Sequence, residues 1–541
     1  MTFAVRDRGL PPLPLIHFPE IVSLGDAPRF HGRARGAHTA FVFEGRRTSW
    51  AEFDRNTARA ANALAAEGIG KGSRIAYLGK NSDRYFELLF AACRIGAVMV
   101  PVNWRLAEPE VAHVLADSEA ALLFVDATGA PMAVHMSAGC RVLAVEPVAG
   151  FEDYAAWRDA APDTDLCPEV RPEEPCIQLY TSGTTGRPKG VQLPHRALYA
   201  FNTYSAQHPD EFGPDFVWNN WIADDVALVA LPVFHISGSG WGIIAAYAGA
   251  CTVVLREFAN AAVIDAVRTF RVSKTVLVPA TIQAMVDHPG ITRADFASLK
   301  YFMYGAAPIS VDLLERAMAT FGCEFVQIYG LTETCGGVSC LPPADHRPGN
   351  PRMRSAGRPL PGVSVKIVEP GGDRELPAGA VGEICLKTPA AMSGYWRQEA
   401  ETARILGDDG WLRSGDAGYL DADGYLFITD RVKDMVVTGG ENVYPAEVEA
   451  ALATHPEVRE VAVIGVPDPR WGEAVKAIIA PVAGRSPDPA ALIAWARERI
   501  AGYKLPKSVD FVDALPRNAT GKVMKHELRA PYWADRDRNV N

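Results

Sequence analysis

From Thr48 to about Gly330 the sequence alternates between segments with helical spacing of apolar residues and short continuous apolar runs, and this alternation restricts the fold more than any other feature. TSWAEFDRNTARAANALAAEG opens on a hydroxyl cap at Thr48 or Ser49 and closes at Gly68, so it predicts a helix. RIAYLG predicts a strand, SDRYFELLFAACRIG a helix and AVMVPVN a strand. AAVIDAVRTF, TIQAMVDH and SVDLLERAMATFG read as helices around the strands TVLVPA, KYFMYG and EFVQIYG. Strands that alternate with helices predict an α/β fold with parallel sheets covered on both faces.

Ligands in such sheets bind beyond the carboxyl ends of the strands. Three of those ends carry polar, glycine-bearing turns: TSGTTG after CIQLY, then YGAAP and YGLTE. The stretch Thr181–Gly190 (TSGTTGRPKG) holds three glycines, four hydroxyl side chains, Arg187 and Lys189. Glycines let several backbone N–H groups converge on an anion, and hydroxyls add donors. Lys189 adds a mobile positive charge, so the stretch fits phosphate. It departs from the Walker A pattern, because Pro188 precedes the lysine and Gly190 follows it. The alternative is a solvated loop.

The texture changes after about Gly357. VSVKIVEPGG, GEICLKT and YLFITD predict a small β-rich subdomain over about 357–430. A charged segment, 431–434, then precedes a helix (YPAEVEAALATHP), two strands, a further helix and a last strand (SVDFVDALP). The expected organisation is a large domain over 1–430, a hinge at 431–434 and a small mobile α+β domain over 435–541. A chain of 541 residues exceeds the roughly 250–300 that one core serves.

Charge and cysteine usage exclude several classes. The net charge is −10, against the basic balance of a bulk nucleic-acid binder, so no nucleic-acid partner is expected. Nine scattered cysteines include no CxxC pair, which argues for buried thiols in a reducing compartment. The first residues, MTFAVRDRGLPPLPLIHFPE, lack the apolar core of a signal peptide, and no uninterrupted apolar run approaches about 18 residues. The expected location is the cytoplasm. Peripheral membrane contact and a homodimer stay open.

The ten-residue string Thr181–Gly190 resembles the phosphate loop of the acyl-adenylate-forming enzymes, and the chain is similar to that superfamily throughout, most of all to its fatty-acyl-CoA ligases. The further family motifs stand in order: YGAAP, YGLTE, RSGDAGYLDADGY, DRVKDMVVTGGENVYPAEVE and PRNATGK. The resemblance implies ATP and CoA as co-substrates and Mg²⁺ as cofactor. It implies nucleotide contacts from Thr181, Ser182, Gly183, Thr184, Thr185, Gly186, Lys189, Gly305, Ala306, Ala307 and Tyr329, with Asp416 and Arg431 on the ribose hydroxyls. Thr332 touches the α-phosphate, Glu333 holds the metal, and Lys522 bridges the acyl oxygen and the α-phosphate. Lys433 is the hinge residue, and Gly439, Gly440 and Glu441 pass the pantetheine. These roles suit the chemistry, because a carboxylate attacking a phosphate gathers negative charge that cations and N–H donors must offset. The structural alternatives are a turn-closing Asp416, a solvated helix-start Glu333, and surface lysines at 433 and 522.

The resemblance also places the acyl pocket near PVFHISGSGWG. His235 borders the carboxylate, Gly238 and Gly240 leave room for a chain, and Trp241 lines it, with Val278, Tyr304, Gly330, Thr334, Cys335 and Gly336 as further walls. The alternative for His235 is a core histidine. No acid lies in HISGSGW to meet an amino-acid ammonium, and only about twenty residues follow Lys522, so free CoA is the expected acceptor and a medium- or long-chain fatty acid the expected substrate. Aryl or steroid-derived acids, a carrier protein as acceptor, luciferase-like oxygen chemistry and a non-catalytic nucleotide-binding relative are the alternatives. His526 stands where the family pattern favours a second basic residue.

Overall fold

A computed structural model describes residues 15–136, 140–182, 188–222, 224–307, 309–438, 441–517 and 523–534. The chain forms two compact units, Met1–Ser364 with Leu386–Leu412, and Val365–Cys385 with Arg413–Asn541.

The first unit carries two large sheets among its described residues. The nine-stranded sheet runs, edge to edge, Arg358–Pro359, Gly336–Leu341, Glu324–Leu331, Tyr301–Gly305, Lys274–Leu277, Val226–Val229, Cys251–Val254, Thr39–Phe43 and Arg46–Ser49. Its inner strands are parallel and its edges antiparallel. The eight-stranded sheet runs Gly394–Tyr395, Pro188–Pro194, Pro175–Ser182, Val98–Val102, Arg74–Leu78, Leu122–Val125, Arg141–Ala144 and Glu152–Asp153. It is parallel from Pro175–Ser182 onward, and the other two strands are antiparallel additions. The α/β fold class is as expected from the alternation. The antiparallel edges are not, because a run such as PKGVQLP carries the Gly and Pro of a loop.

The helices form where the sequence places them. Ser49 and Glu52 make a reciprocal cap on Trp50–Ala66, with the Glu52 N–H donating to Ser49 Oγ at 3.3 Å and the Ser49 N–H donating to Glu52 Oε2 at 2.9 Å. The chain leaves this helix at Gly68, whose φ of +79° suits glycine. Helix Asp83–Arg94 lies between the two sheets, touching Thr39–Phe43 of one and Val98–Val102 and Pro175–Ser182 of the other. It is therefore buried all round except at Arg84. Its interior acid, Glu87, is met by Arg158 Nη1 at 2.7 Å and the Tyr154 hydroxyl at 2.7 Å, so the buried charge is compensated.

The second unit holds a four-stranded sheet, Ser364–Val368, Gly382–Lys387, Leu412–Leu420 and Leu426–Arg431, and a sheet ordered Glu441–Val443, Val436–Thr438, Gly472–Pro481 and Val458–Asp468, with Ser508–Phe511 added in parallel to Gly472–Pro481. Val448, Leu452, Val463, Val475, Ile479 and Leu492 pack helices Pro445–Ala453 and Pro489–Arg497 onto this second sheet. Among the described residues, no helix is long and apolar enough to cross a membrane.

Candidate active site

The two ends of the glycine and hydroxyl stretch lie on paired antiparallel strands. Strand Pro175–Ser182 runs on from the apolar CIQLY and returns as Pro188–Pro194, with Tyr180 opposite Gly190 and Thr181 opposite Lys189. Ser182 is placed by its backbone, and Gly183, Thr184, Thr185 and Gly186 lie outside the described residues. A polar network supports the hairpin from below. Arg74 Nε donates to Gln178 Oε1 at 3.0 Å, Gln178 Nε2 donates to the Tyr180 hydroxyl at 3.0 Å, and that hydroxyl donates to Asp117 Oδ2 at 2.6 Å. A Cβ on Gly190 would stand 2.6 Å from Gln178 Nε2, so the network requires glycine there.

Lys189 is not the mobile charge expected from the sequence. It is buried, its ammonium pairs with Glu401, and it lies 5.3 Å from the centre of the Tyr395 ring. Glu401 also accepts from Arg404 Nε at 2.9 Å. The Arg404 hydrogen bond and then the Lys189 contact hold the Glu401 carboxyl down at about 2, against burial. Tyr395 reaches the second motif, its hydroxyl donating to Glu333 Oε1 at 2.8 Å. Burial and then the Glu333 charge push the Tyr395 phenol upward, so it stays a donor.

Glu333 sits in a short turn, Thr332–Thr334, beyond strand Glu324–Leu331. Thr334 fixes that turn: Oγ1 accepts from the Leu331 N–H at 2.9 Å and lies 2.9 Å from the Gly336 carbonyl. Segment 392–396 joins the turn to the hairpin, with the Met392 N–H on the Glu333 carbonyl at 2.9 Å and the Trp396 N–H on the Gly190 carbonyl at 2.7 Å. Two strand-end motifs from different sheets are thus brought together in one unit. Next to them, Gly305 closes strand Tyr301–Gly305, where a Cβ would stand 2.1 Å from the Ile328 carbonyl oxygen. Ala306 follows at φ +63° and is exposed, as is Ala307, while Tyr329 is 9% exposed.

The expected acyl-pocket residues divide. His235 precedes helix Ile236–Ala248, its Nε2 is buried without a hydrogen-bond partner, and burial and then Arg105 lower its pKa to about 4. Trp241 lies 5.0 Å from Trp221, ring centre to ring centre, and its Nε1 is also buried and unpartnered. Gly240 tolerates a neighbour, because a Cβ there would meet only the flexible Ile236 Cδ1, at 3.2 Å. Gly238 does not leave room for a chain: its Cβ would stand 2.2 Å from the Pro232 carbonyl oxygen, so it is a packing glycine. Tyr304 lies in a core cluster. It is fully buried, and its hydroxyl bonds His346 Nε2 at 3.0 Å. The Gly330 position is pinched by Gly336, whose carbonyl oxygen would be 1.6 Å from a Cβ, whereas Gly336 itself faces open space at φ +105°. Cys335 takes φ +53°, and burial pushes its thiol up to about 12. Val278 caps helix Pro279–Val286 and packs against a core cluster. Two open hollows, of about 410 and 480 Å³, lie by Lys300, Tyr301 and Glu324 at the amino ends of the strands; His346 lines both, and none of the expected pocket residues does.

In the second unit, Asp416 is 5% exposed and is the direct cross-strand partner of Arg431. Its N–H donates to Ser414 Oγ at 3.0 Å, and the Ser414 hydroxyl donates to the Ile384 carbonyl at 2.7 Å. Lys433 falls in the turn Val432–Asp434, between strands Leu426–Arg431 and Val436–Thr438. Glu441 is the antiparallel cross-strand partner of Thr438, while Gly439, Gly440 and Lys522 lie outside the described residues. Helix Lys525–Trp533 is tied to the same region by Lys525 Nζ on Glu449 Oε1 at 2.8 Å and Arg529 Nη2 on Asp434 Oδ1 at 3.2 Å.

Sequence reasoning missed Tyr395, Glu401 and Arg404. The only local signal is the run GYWRQEAET, and its partners lie 62 and 212 positions away.

Comparison with known proteins gives the family. Residues 29–396 match the family described as AMP-binding enzyme, and residues 447–522 match the AMP-binding enzyme C-terminal domain. The chain belongs to the acyl-adenylate-forming superfamily, in its acyl-CoA ligase branch. It is 44% identical to a fatty acid–[acyl-carrier-protein] ligase of Streptomyces coeruleorubidus, over 97% of this chain and 99% of that one. It is 41% identical to a feruloyl-CoA synthase of an Amycolatopsis species, over 94% and 99%. The crystal structure of ATP-bound MatB from Rhodopseudomonas palustris superposes with a TM-score of 0.84 at 30% identity, covering 95% of this chain and 99% of that one.

Proposed function

We propose that the chain is an ATP-dependent carboxylic acid–CoA ligase acting on a medium- or long-chain fatty acid. A carboxylate oxygen attacks the α-phosphorus of ATP and pyrophosphate leaves. The thiol of CoA then attacks the acyl carbon of the acyl-AMP and AMP leaves. The observation that carries this reading is the meeting of the phosphate hairpin and Glu333 through Tyr395 and Lys189.

Each residue has a role in that sequence. Gly183, Thr184, Thr185 and Gly186, with Thr181, Ser182, Lys189 and Thr332, hold phosphate oxygens, and Gly305, Ala306, Ala307 and Tyr329 flank the nucleotide. Asp416 and Arg431, opposite one another across two strands, take the ribose hydroxyls. Glu333 fits a magnesium ion: the metal prefers few carboxylates plus phosphate and water oxygens, and one Glu333 oxygen is already oriented by a hydrogen bond. A bound Mg²⁺ would neutralise phosphate charge. His235, neutral at physiological pH, borders the acid without adding charge. Lys522 serves adenylation and Gly439, Gly440 and Glu441 the thiol step, about a pivot at Lys433. The proposed domains are 1–430 and 435–541, joined by 431–434.

The identity to a ligase that loads a carrier protein favours a second acceptor, the same pantetheine thiol carried on a protein. The feruloyl-CoA synthase likewise favours an aryl acid as the alternative substrate. Incubation with ATP, Mg²⁺ and a panel of fatty, aryl and ring-bearing acids, with CoA or a phosphopantetheinylated carrier protein, tests all three points by mass spectrometry. Fatty acyl-CoA as the dominant product supports the first reading. Thioester on the carrier protein alone replaces it with the second.

A further inference from the structure

Glu333 stands on the three-residue turn Thr332–Thr334, whose backbone is held by Thr334 Oγ1 and by the Met392 N–H. Its side-chain oxygen Oε1 accepts from the Tyr395 hydroxyl at 2.8 Å. Tyr395 itself is fixed at several points. It pairs with Val191 at the edge of the eight-stranded sheet, its N–H donates to Thr402 Oγ1 at 2.9 Å, and its ring lies against the Lys189 ammonium, 5.3 Å from its centre. Thr402 is in turn held by the Gln398 carbonyl at 2.9 Å, and Glu401 of the same helix, Glu399–Ile405, pairs with Lys189.

We propose that Tyr395 is a positioning residue for adenylation: its hydroxyl fixes the rotamer of the Glu333 carboxylate for a divalent cation, and its ring sets that carboxylate at a constant distance from Lys189. The inference rests on the reading of Glu333 as the metal-holding residue. A carboxylate hydrogen-bonded through one oxygen presents the other in a defined direction, and such outer partners contribute roughly 10–100-fold to metal affinity or activity. The geometry joins two motifs that the chain keeps far apart, so Tyr395 also coordinates their spacing.

The test is Tyr395→Phe in the full-length protein, with Glu333→Gln as comparator. Binding of Mn²⁺ in the presence of a non-hydrolysable ATP analogue is read by electron paramagnetic resonance, and acid-dependent ATP–pyrophosphate exchange is followed against Mg²⁺ concentration. The proposal predicts that Tyr395→Phe weakens Mn²⁺ about tenfold. Its exchange rate should recover at high Mg²⁺, and thioester formation from pre-made acyl-AMP should be unchanged. The phenyl ring preserves the packing and the contact with Lys189, so a melting temperature near that of the parent accompanies this result. Unchanged Mn²⁺ affinity in Tyr395→Phe, with Glu333→Gln clearly weakened, would overturn the role of Tyr395 alone. Unchanged affinity in both variants would overturn the metal assignment of Glu333 together with it.

Discussion

Asp416 and Arg431 stand directly opposite each other on adjacent antiparallel strands, Leu412–Leu420 and Leu426–Arg431. Fifteen positions of sequence separate them, and the hairpin between brings the two family positions assigned to ribose into register. Asp416→Asn should therefore raise the KM for ATP by about tenfold or more, the effect of losing hydrogen bonds to a charged acceptor. The same variant should lose most of the preference for ATP over 2′-deoxy-ATP, measured as a ratio of kcat/KM values. An unchanged ratio would remove Asp416 from the ribose.

Glu401→Gln should leave the Lys189 ammonium buried without its counter-charge and destabilise the chain by roughly 1–3 kcal/mol. The folded carboxyl titrates at about 2, below its ordinary 4.5, so its stabilising contribution is complete above about pH 5.5 and is lost as pH falls through 4.5 toward 2. The difference in urea midpoint between parent and variant should be flat at neutral pH and shrink on acidification. A difference independent of pH would mean that Glu401 acts by packing alone.

Three histidines, His31, His235 and His346, are lowered to about 4 by burial. The unfolded chain takes up protons at these positions near pH 6.5 while the folded chain stays neutral down to about 4, so stability falls as pH drops through that window. Each histidine contributes up to about 1.4 kcal/mol per pH unit. Replacing His346 by Gln should reduce the pH slope of stability between about 4.5 and 6 by about one proton, whatever the fixed loss from its hydrogen bonds. The adenylation rate should show no inflection near 6.5 from His235.

The two glycines flanking Ser239 should behave differently. Gly238→Ala drives a methyl to 2.2 Å from a backbone carbonyl oxygen and should cost about 1–3 kcal/mol or more. Gly240→Ala meets only the end of Ile236 and should leave the melting temperature nearly unchanged while altering the preference among acids. Thermal melts and a substrate panel on the two variants separate packing from pocket shape.

What the sequence revealed depended on how far each contact reaches. Helix Trp50–Ala66 was legible because Ser49, Glu52 and Gly68 encode its ends locally. The strand end at Gly305 was legible because glycine interrupts an apolar run, and the next strand runs only one residue past the expected Gly330, to Leu331. The clamp on Lys189 and Glu333 was not, since Glu401 and Tyr395 meet them only after the edge strand Gly394–Tyr395 joins the eight-stranded sheet. The surroundings of Tyr304 and Gly238 were not legible for a related reason: a residue type near a pocket does not disclose what packs against it. The turn toward His346 and the close approach of Pro232 are tertiary facts.

The most direct test of the central claim is acid-dependent exchange of labelled pyrophosphate into ATP, with Mg²⁺ and no thiol acceptor present. The account predicts exchange with at least one class of carboxylic acid, acyl-AMP detectable by mass spectrometry, and a loss of about a hundredfold or more in Lys522→Ala, as expected for removing a transition-state contact. Nucleotide binding without exchange across fatty, aryl and ring-bearing acids, or exchange undiminished in Lys522→Ala, would contradict it.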